Sequence, residues 1–435
     1  MSQDTNNEMN HHYDAIVIGG GPAGSTCSAL LARKGRRVLV LERDEFPRYH
    51  VGESLIPYCY FTLERLGVID NLNEADYAVN KHSVQFVTEQ GKISAPFYFF
   101  QHIEHAASKT WQVWRGPFDE MLLDHAREEG VEVHEGVNAR ELIRNESGQV
   151  IGVVAQDRNG TTREFFAPVT VDASGRDAFA LRQLDWRTRD PELSKVTMWT
   201  YYKGAMRDKG YDEGATTVAY LPEKGWFWWI PLANDMVSVG ITAERDYLYR
   251  EGTKDPQTIF ERELELNAWV KDHLSTGDRT DEFRVTSEYS YRSKHCAADG
   301  LVLIGDAFAF LDPVFSSGVF LALRSGELAA DAIDEAISQN DVSANQFAAY
   351  GKEVCYGIES MRKLVYAFYE ANFSFGSVIK KNPMLRGDLT DCLIGDVFRD
   401  FTKLFDAVSE FAAVPEPLAY GKPFDQTMVS QGDAM

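Results

Sequence analysis

Residues 14–24 read Asp14-Ala15-Ile16-Val17-Ile18-Gly19-Gly20-Gly21-Pro22-Ala23-Gly24, and residues 37–42 read Arg37-Val38-Leu39-Val40-Leu41-Glu42. A short apolar run, a glycine-rich turn, a helical pattern closed by Gly35 and a second apolar run predict strand, helix and strand. Gly19, Gly21 and Gly24 form GxGxxG at the first junction. Glycine there permits a tight turn, close approach of backbone to a pyrophosphate, and close packing of helix on strand. Glu42 ends the second strand 18 residues beyond Gly24, where a carboxylate meets the hydroxyls of an adenosine ribose. A lone GxGxxG is also an ordinary glycine turn; strand, helix and acid in register point to a dinucleotide.

Around this nucleus the chain runs to 435 residues, 44% hydrophobic and 25% charged, which is globular usage with room for two domains. Its 44 Lys and Arg against 66 Asp and Glu give a net charge of −22. Such a surface repels phosphate backbones and anionic lipid, so neither nucleic acid nor membrane is expected as a partner. Residues 1–13 carry no basic or apolar stretch and read as a flexible N-terminus, not a signal. The longest weakly charged span, 301–323, is broken by Asp306, Asp312 and Pro313, against a bilayer-spanning helix. Cys27, Cys59, Cys296, Cys355 and Cys392 are widely spaced and contain no CxxC. No disulfide framework and no metal site are expected, and free thiols suit a cytoplasmic location.

Further along, Pro117 opens a helical pattern through Phe118, Met121, Leu122 and His125 that Gly130 stops. Residues 196–242 change to β-branched and aromatic runs broken by Gly and Pro, the signature of an antiparallel sheet. Residues 285–291 alternate again before the buried run 301–304 returns the chain to its first domain. Beyond Ser316 the pattern is helical to about residue 372, and again over about 391–411. The expected fold is therefore α/β: a Rossmann-type dinucleotide-binding module from 14–190 and 282–340, interleaved with an antiparallel β domain at 191–281. A helical region, 341–435, is expected to cover the pocket.

Two further strand ends narrow the dinucleotide. Val171-Asp172-Ala173-Ser174-Gly175-Arg176 and Leu301-Val302-Leu303-Ile304-Gly305-Asp306-Ala307, taken with GxGxxG in this order, resemble flavoprotein monooxygenases of the hydroxybenzoate hydroxylase type. That resemblance implies FAD, with Glu42, Arg43, Arg115, Asp306 and Gly318 among its contacts; the alternative for Arg115 is a surface ion pair with Asp119 or Glu120. The chain has one GxGxxG, so reduced flavin is expected from a separate flavin reductase.

Three motifs then point to chemistry. Trp226, Trp228, Ile230 and Pro231 spell WxWxIP, which resembles the signature of flavin-dependent halogenases; an aromatic sheet core is the plainer account. Phe310, Pro313, Ser316 and Gly318 match the FxxPxxSxG pattern of the same family, entering a helix whose N-terminus favours an anion at Ser317 and Gly318. Packing beneath the flavin is the alternative. Lys81, in Ala78-Val79-Asn80-Lys81 after the segment His50-Val51-Gly52-Glu53-Ser54, stands where halogenases carry a catalytic lysine, although a lone lysine is most often solvated surface. The resemblance implies that chloride or bromide at Ser317 and Gly318 becomes hypohalous acid at a flavin that has taken up O2. The tryptophan wall keeps the organic substrate from the flavin, and Lys81 passes the halogen to an electron-rich aromatic carbon.

Tryptophan halogenases keep a glutamate where this chain has Phe315, so a phenol or pyrrole is expected as substrate. Glu53 or a residue of the tail is the candidate base. The aromatic stretch 366–375 has rings placed to roof a flat ring or to fill core. Carrier proteins are commonly acidic, and a −22 surface favours a free small molecule over a tethered one. The competing readings are a flavin monooxygenase or prenyl reductase of the same fold, and a flavin-binding protein without turnover.

Overall fold

The computed structural model describes residues 13–287, 290–370 and 373–425. Strand Ala15–Ile18 pairs in parallel with Val38–Leu41 on one side and Val169–Asp172 on the other. The sheet extends through Glu132–His134 beyond the first neighbour and Leu301–Leu303 beyond the second, both parallel. Strands 15–18 and 38–41 are buried at every position, which explains their unbroken apolar runs: a parallel sheet is covered on both faces. The short pair Ala297–Ala298 closes one edge in antiparallel sense. Helix Pro22–Arg33 packs against Arg115–Glu128 and Gly318–Ser338, so the last long-range element of the nucleotide fold comes from late in the chain. Because the strand order reverses at Ala15–Ile18, a crevice opens at the carboxyl ends of the central strands.

The second sheet has eight strands. Its order is Asp278–Arg279, Lys195–Lys203, Met236–Glu244, Trp226–Leu232, Thr216–Tyr220, Ser83–Val87 and Phe97–Tyr98, with Arg284–Ser287 also on Lys195–Lys203. The interval 191–281 thus supplies five of the eight. Ser83–Val87 joins in parallel with Thr216–Tyr220, a pairing only a long crossover can make. Just before it, Ala78–Lys81 pairs antiparallel with Thr110–Val113 as a separate ribbon. The expected N-terminal tail also needs correction at its end. Residues 1–12 lie outside the described residues, but Tyr13 is 4% exposed, and its amide donates to Phe166 O at 2.9 Å.

Alternation sorts the aromatic strand 226–232 between two cores. Trp226, Trp228 and Ile230 belong to the core shared with the nucleotide fold, whereas Phe227 and Trp229 pack into a second core with Phe260 and Ile259. Pro231 shares the parity of Phe227 and Trp229, so it faces away from the other three residues of its motif. Gly240 makes room for the wall. It lies opposite both Trp228 and Trp199, and a Cβ there would come within 2.4 Å of the Trp228 ring.

Downstream, helices Gly318–Ser338 and Ala348–Tyr369 are followed by Phe375–Lys381, Arg386–Ile394 and Thr402–Ser409. The helix 375–381 was not legible because seven residues give less than two turns of apolar period. Among the described residues no helix is long and apolar enough to cross a membrane.

Gly240→Ala is expected to destabilise the protein by about 1–3 kcal/mol, the usual penalty for overpacking. A lowered urea midpoint with an unchanged slope is the expected reading.

Candidate active site

A cavity of about 620 Å3 lies where the two sheets meet, within the roughly 300–1,000 Å3 of cofactor pockets. Ile18, Leu41, Ala173 and Ile304 line it, each at or just beyond the carboxyl end of a parallel strand. Of the residues expected from sequence, Gly19, Gly21, Glu42, Arg43, Arg115, Asp306, Gly318, Trp226, Trp228 and Ile230 line this one cavity. Gly24, Ser317, Lys81 and Pro231 do not.

Each of those four has a physical reason. Gly24 carries the helix: a Cβ there would sit 1.9 Å from Gly19 O, so only glycine lets Pro22–Arg33 approach the strand. Ser317 is 1% exposed at the N-cap of Gly318–Ser338, and its side chain accepts no capping hydrogen bond from the first turn. Pro231 is turned away by strand parity. Lys81 stands one hydrogen bond behind the cavity wall.

The nucleotide end fits a dinucleotide. Gly19 has φ +105°, which leaves the loop its tight turn. Both Glu42 oxygens are anchored, one by Gly20 N at 2.7 Å and one by Asp44 N at 2.9 Å, which fixes the carboxylate at the strand end. Arg43 pairs with Asp177. Arg115 does pair with Asp119, at 2.8 and 3.0 Å, but as a buried fork rather than a surface pair, while its third nitrogen donates to Val51 O. Burial pushes the Asp306 carboxyl up to about 6 against the pull of Arg176 and Arg115. No side chain among the described residues hydrogen-bonds it, so it is available to a polyol such as a ribityl chain.

At the far end, Ser316 takes the left-handed conformation (φ +55°) and ends the turn Pro313–Phe315. The first turn of Gly318–Ser338 holds no acidic residue, and a Cβ on Gly318 would meet nothing within 4 Å. Open space faces a helix N-terminus, where unpaired N–H groups favour an anion.

Behind the tryptophan wall the polar chemistry is concentrated. Lys81 is 1% exposed, and its Nζ donates to Ser54 Oγ at 2.8 Å and Leu55 O at 2.9 Å. Ser54 Oγ lies 2.8 Å from Thr216 Oγ1, which accepts from Gln112 Nε2 at 2.8 Å. Ser54 and Thr216 both line the cavity, so a single hydroxyl, that of Ser54, stands between the amine and it. Burial pulls the Lys81 amine down to about 7. Phe99 lies beneath it, 5.7 Å from Nζ to ring centroid.

One residue that sequence reasoning passed over ties these parts together. Tyr369, at the end of Ala348–Tyr369, accepts from Trp226 Nε1 at 2.9 Å and donates to Asp312 Oδ2 at 2.9 Å. Asp312 is fully buried inside the FxxPxxSxG segment, and its other oxygen accepts from Val314 N at 3.1 Å. The tryptophan motif and the turn motif are thus joined through a tail residue. The only sequence signal was the aromatic stretch around it, in which 371–372 lie outside the described residues.

Phe315 fills the place of the missing acid. It stands edge-on to Phe368 and Phe375, with centroids 5.8 and 5.9 Å away.

The sequence model of the tryptophan halogenase family matches residues 14–114 and 75–377. A 1H-pyrrole-2-carbonyl-[peptidyl-carrier protein] brominase of Pseudoalteromonas luteoviolacea is 34% identical over 391 residues, 89% of this chain and 92% of the relative. The corresponding chlorinase of Pseudomonas fluorescens is 31% identical over 409 residues, 89% of this chain and 90% of its own. Among solved structures, the flavin-dependent brominase Bmp2 superposes with a TM-score of 0.83 at 30% identity, covering 92% of this chain and 98% of that one. The myxobacterial chondrochloren halogenase CndH gives 0.76 at 27% identity, with 92% and 96% covered. A cavity at the strand ends, a tryptophan wall and a buried lysine thus coincide with sequence matches over most of the chain, and the protein belongs to the tryptophan halogenase family of flavin-dependent halogenases.

Proposed function

We propose that the enzyme halogenates an electron-rich pyrrole held as an acyl group on a carrier protein, and that Lys81 delivers the halogen. The observation that carries the second half is the Lys81 amine, enclosed, hydrogen-bonded through Ser54 to the cavity wall, and lowered to about 7. A surface lysine stays charged and inert at this pH. The first half rests on the two relatives whose names specify pyrrolyl-carrier substrates. They support a tethered substrate over the free small molecule that long-range charge suggested, and a pyrrole over a phenol.

In this reading Gly19, Gly21, Glu42, Arg115 and Asp306 hold FAD, with Arg43 at the adenosine end, and Gly24 seats the helix beneath it. Reduced FAD, supplied by a separate reductase, provides with O2 the oxidising equivalents that convert chloride or bromide to hypohalous acid. The backbone at Ser317 and Gly318 holds the halide at the helix N-terminus. Trp226, Trp228 and Ile230 exclude the aromatic substrate from the oxidising side; Pro231 supports the strand from its opposite face. Ser54 accepts from Lys81 and lies beside Thr216, itself an acceptor for Gln112, and both hydroxyls line the cavity, where a small polar molecule can meet them. Neutral Lys81 then takes the halogen from oxygen to nitrogen or orients it, and the ring carbon attacks.

The decisive assay supplies protein, FAD, a flavin reductase, NADH and bromide to a carrier loaded with a pyrrolyl thioester, with free pyrrole-2-carboxylate and a phenol beside it. Brominated carrier-bound product is expected. Hydroxylated product, or bromination of the free acids alone, would refute the proposal. Lys81→Met is expected to reduce halogenation by at least about a hundredfold while FAD affinity and flavin reoxidation stay within about twofold.

Because the amine is the working form, single-turnover halogenation should rise with pH through about 7 and level off above it. Below that value Lys81 is an ammonium ion with no lone pair. A profile that falls over this range contradicts the assignment.

Tyr369→Phe removes the acceptor of Trp226 and the donor to Asp312. It is expected to lower stability by about 1–3 kcal/mol and to divert a larger share of reducing equivalents to hydrogen peroxide, read as the ratio of peroxide to product.

A further inference from the structure

Halogenation consumes one proton from outside the reactants. Reduced flavin gives two electrons and two protons, halide gives two electrons, and the ring carbon exchanges its proton for halogen. Reducing O2 to two waters takes four electrons and four protons, so one proton must enter the cavity at each turnover. We infer that Glu53, Tyr201 and Tyr49 are the relay that brings it, an inference that rests on the halogenase reading.

The geometry is directional. Glu53 lines the cavity and is 1% exposed. Its Oε1 accepts from Tyr201 Oη at 2.7 Å, and its Oε2 from Gly52 N at 3.2 Å. Tyr201 Oη lies 3.0 Å from Tyr49 Oη, and Trp199 Nε1 donates to Tyr49 Oη at 2.6 Å. An indole N–H can only donate, and the Tyr201 hydrogen is committed to Glu53, so the Tyr49 hydrogen goes to Tyr201. Every donor along the chain is aimed at the carboxylate. Tyr201 is buried on strand Lys195–Lys203, while Tyr49, on the segment before Gly52, also lines the cavity and is 46% exposed.

The relay works by relocation of hydrogens along existing bonds. Glu53, as the acid, gives its proton to oxygen being reduced in the cavity. The carboxylate takes the hydrogen of Tyr201, Tyr201 takes that of Tyr49, and Tyr49 takes one from water. Burial raises the Glu53 carboxyl above the usual carboxylate range, partly offset by the Tyr201 and Gly52 donors. The charged groups facing the chain are Arg115, from helix Arg115–Glu128, and Arg284, whose guanidinium lies 3.8 Å over the Tyr49 ring from strand Arg284–Ser287. Both are cationic, so neither competes for the proton.

The test has two arms. In the flavin-free protein, infrared titration of the Glu53 carboxyl, identified by its loss in Glu53→Gln, should show a higher pKa in Tyr201→Phe, where the carboxylate has lost its donor. In the holoenzyme, single-turnover bromination should fall by at least about tenfold in Tyr201→Phe at pH 8 and less at pH 6, with partial recovery on adding imidazole as a soluble proton donor. Tyr49→Phe, which leaves the buried pair intact, should show the same pattern more weakly. The relay is refuted if Tyr201→Phe matches wild type at every pH, or if it loses activity equally at every pH without rescue. Wild-type enzyme that makes no halogenated product at all would instead overturn the functional reading.

Discussion

An amine enclosed in protein with two oxygen partners is the constraint around which this molecule is organised. An ordinary lysine pays a large desolvation penalty to be buried and relieves it by giving up its proton. The ribbon 78–81/110–113 puts Lys81 in such a position, over Phe99 and against Ser54 and Leu55, and burial lowers its amine to about 7. The same segment, 50–57, carries Glu53 to the cavity two residues from the Leu55 carbonyl. One short stretch therefore supplies both an acid lining the cavity and the oxygens that hold a base behind it. Their environments differ, with Glu53 facing hydrogen-bond donors and Arg115 and Lys81 facing neutral oxygens, and in the proposed reading that difference lets two ionisable groups close in sequence keep separate tasks.

The second organising contact is the Tyr369 hydroxyl. It receives from the tryptophan wall and gives to Asp312, which caps the turn leading to Gly318. Burial pushes the Asp312 carboxyl up to about 6, opposed by the Tyr369 hydrogen bond, with Lys195 and Glu244 nearby pulling in opposite directions. In the proposed reading, the tryptophan wall has to stay in register with the turn at its base. A hydroxyl bonded to both fixes that register more sharply than ring packing, because hydrogen bonds are directional.

What could be read from sequence follows from the range of the forces involved. The strand-helix-strand opening was legible because period and turn chemistry are local. The eight-stranded sheet was only partly so: nothing within Ser83–Val87 states that it joins Thr216–Tyr220, which lies far along the chain. Lys81 was singled out through its motif neighbours, since Ala78-Val79-Asn80-Lys81 by itself does not reveal that the amine is enclosed. Pro231 was placed with the wall by motif membership and removed from it by strand parity. Tyr369 was seen as part of an aromatic stripe; a hydroxyl's partners depend on elements far away in sequence, and no periodicity encodes them.

Phe315 brings the tail and the chemistry together. At the position where tryptophan halogenases keep an acid, this chain packs a phenyl ring between Phe368 and Phe375, so the turn anchors both Ala348–Tyr369 and Phe375–Lys381. A carboxylate in that aromatic cluster would face desolvation worth several kcal/mol. The aromatic anchorage of the tail and the absence of the acid are therefore one structural choice. In the proposed reading, activation of the ring is left to the ring itself, and an electron-rich pyrrole, which needs no carboxylate to steady its developing charge, is a substrate on which that choice carries little penalty.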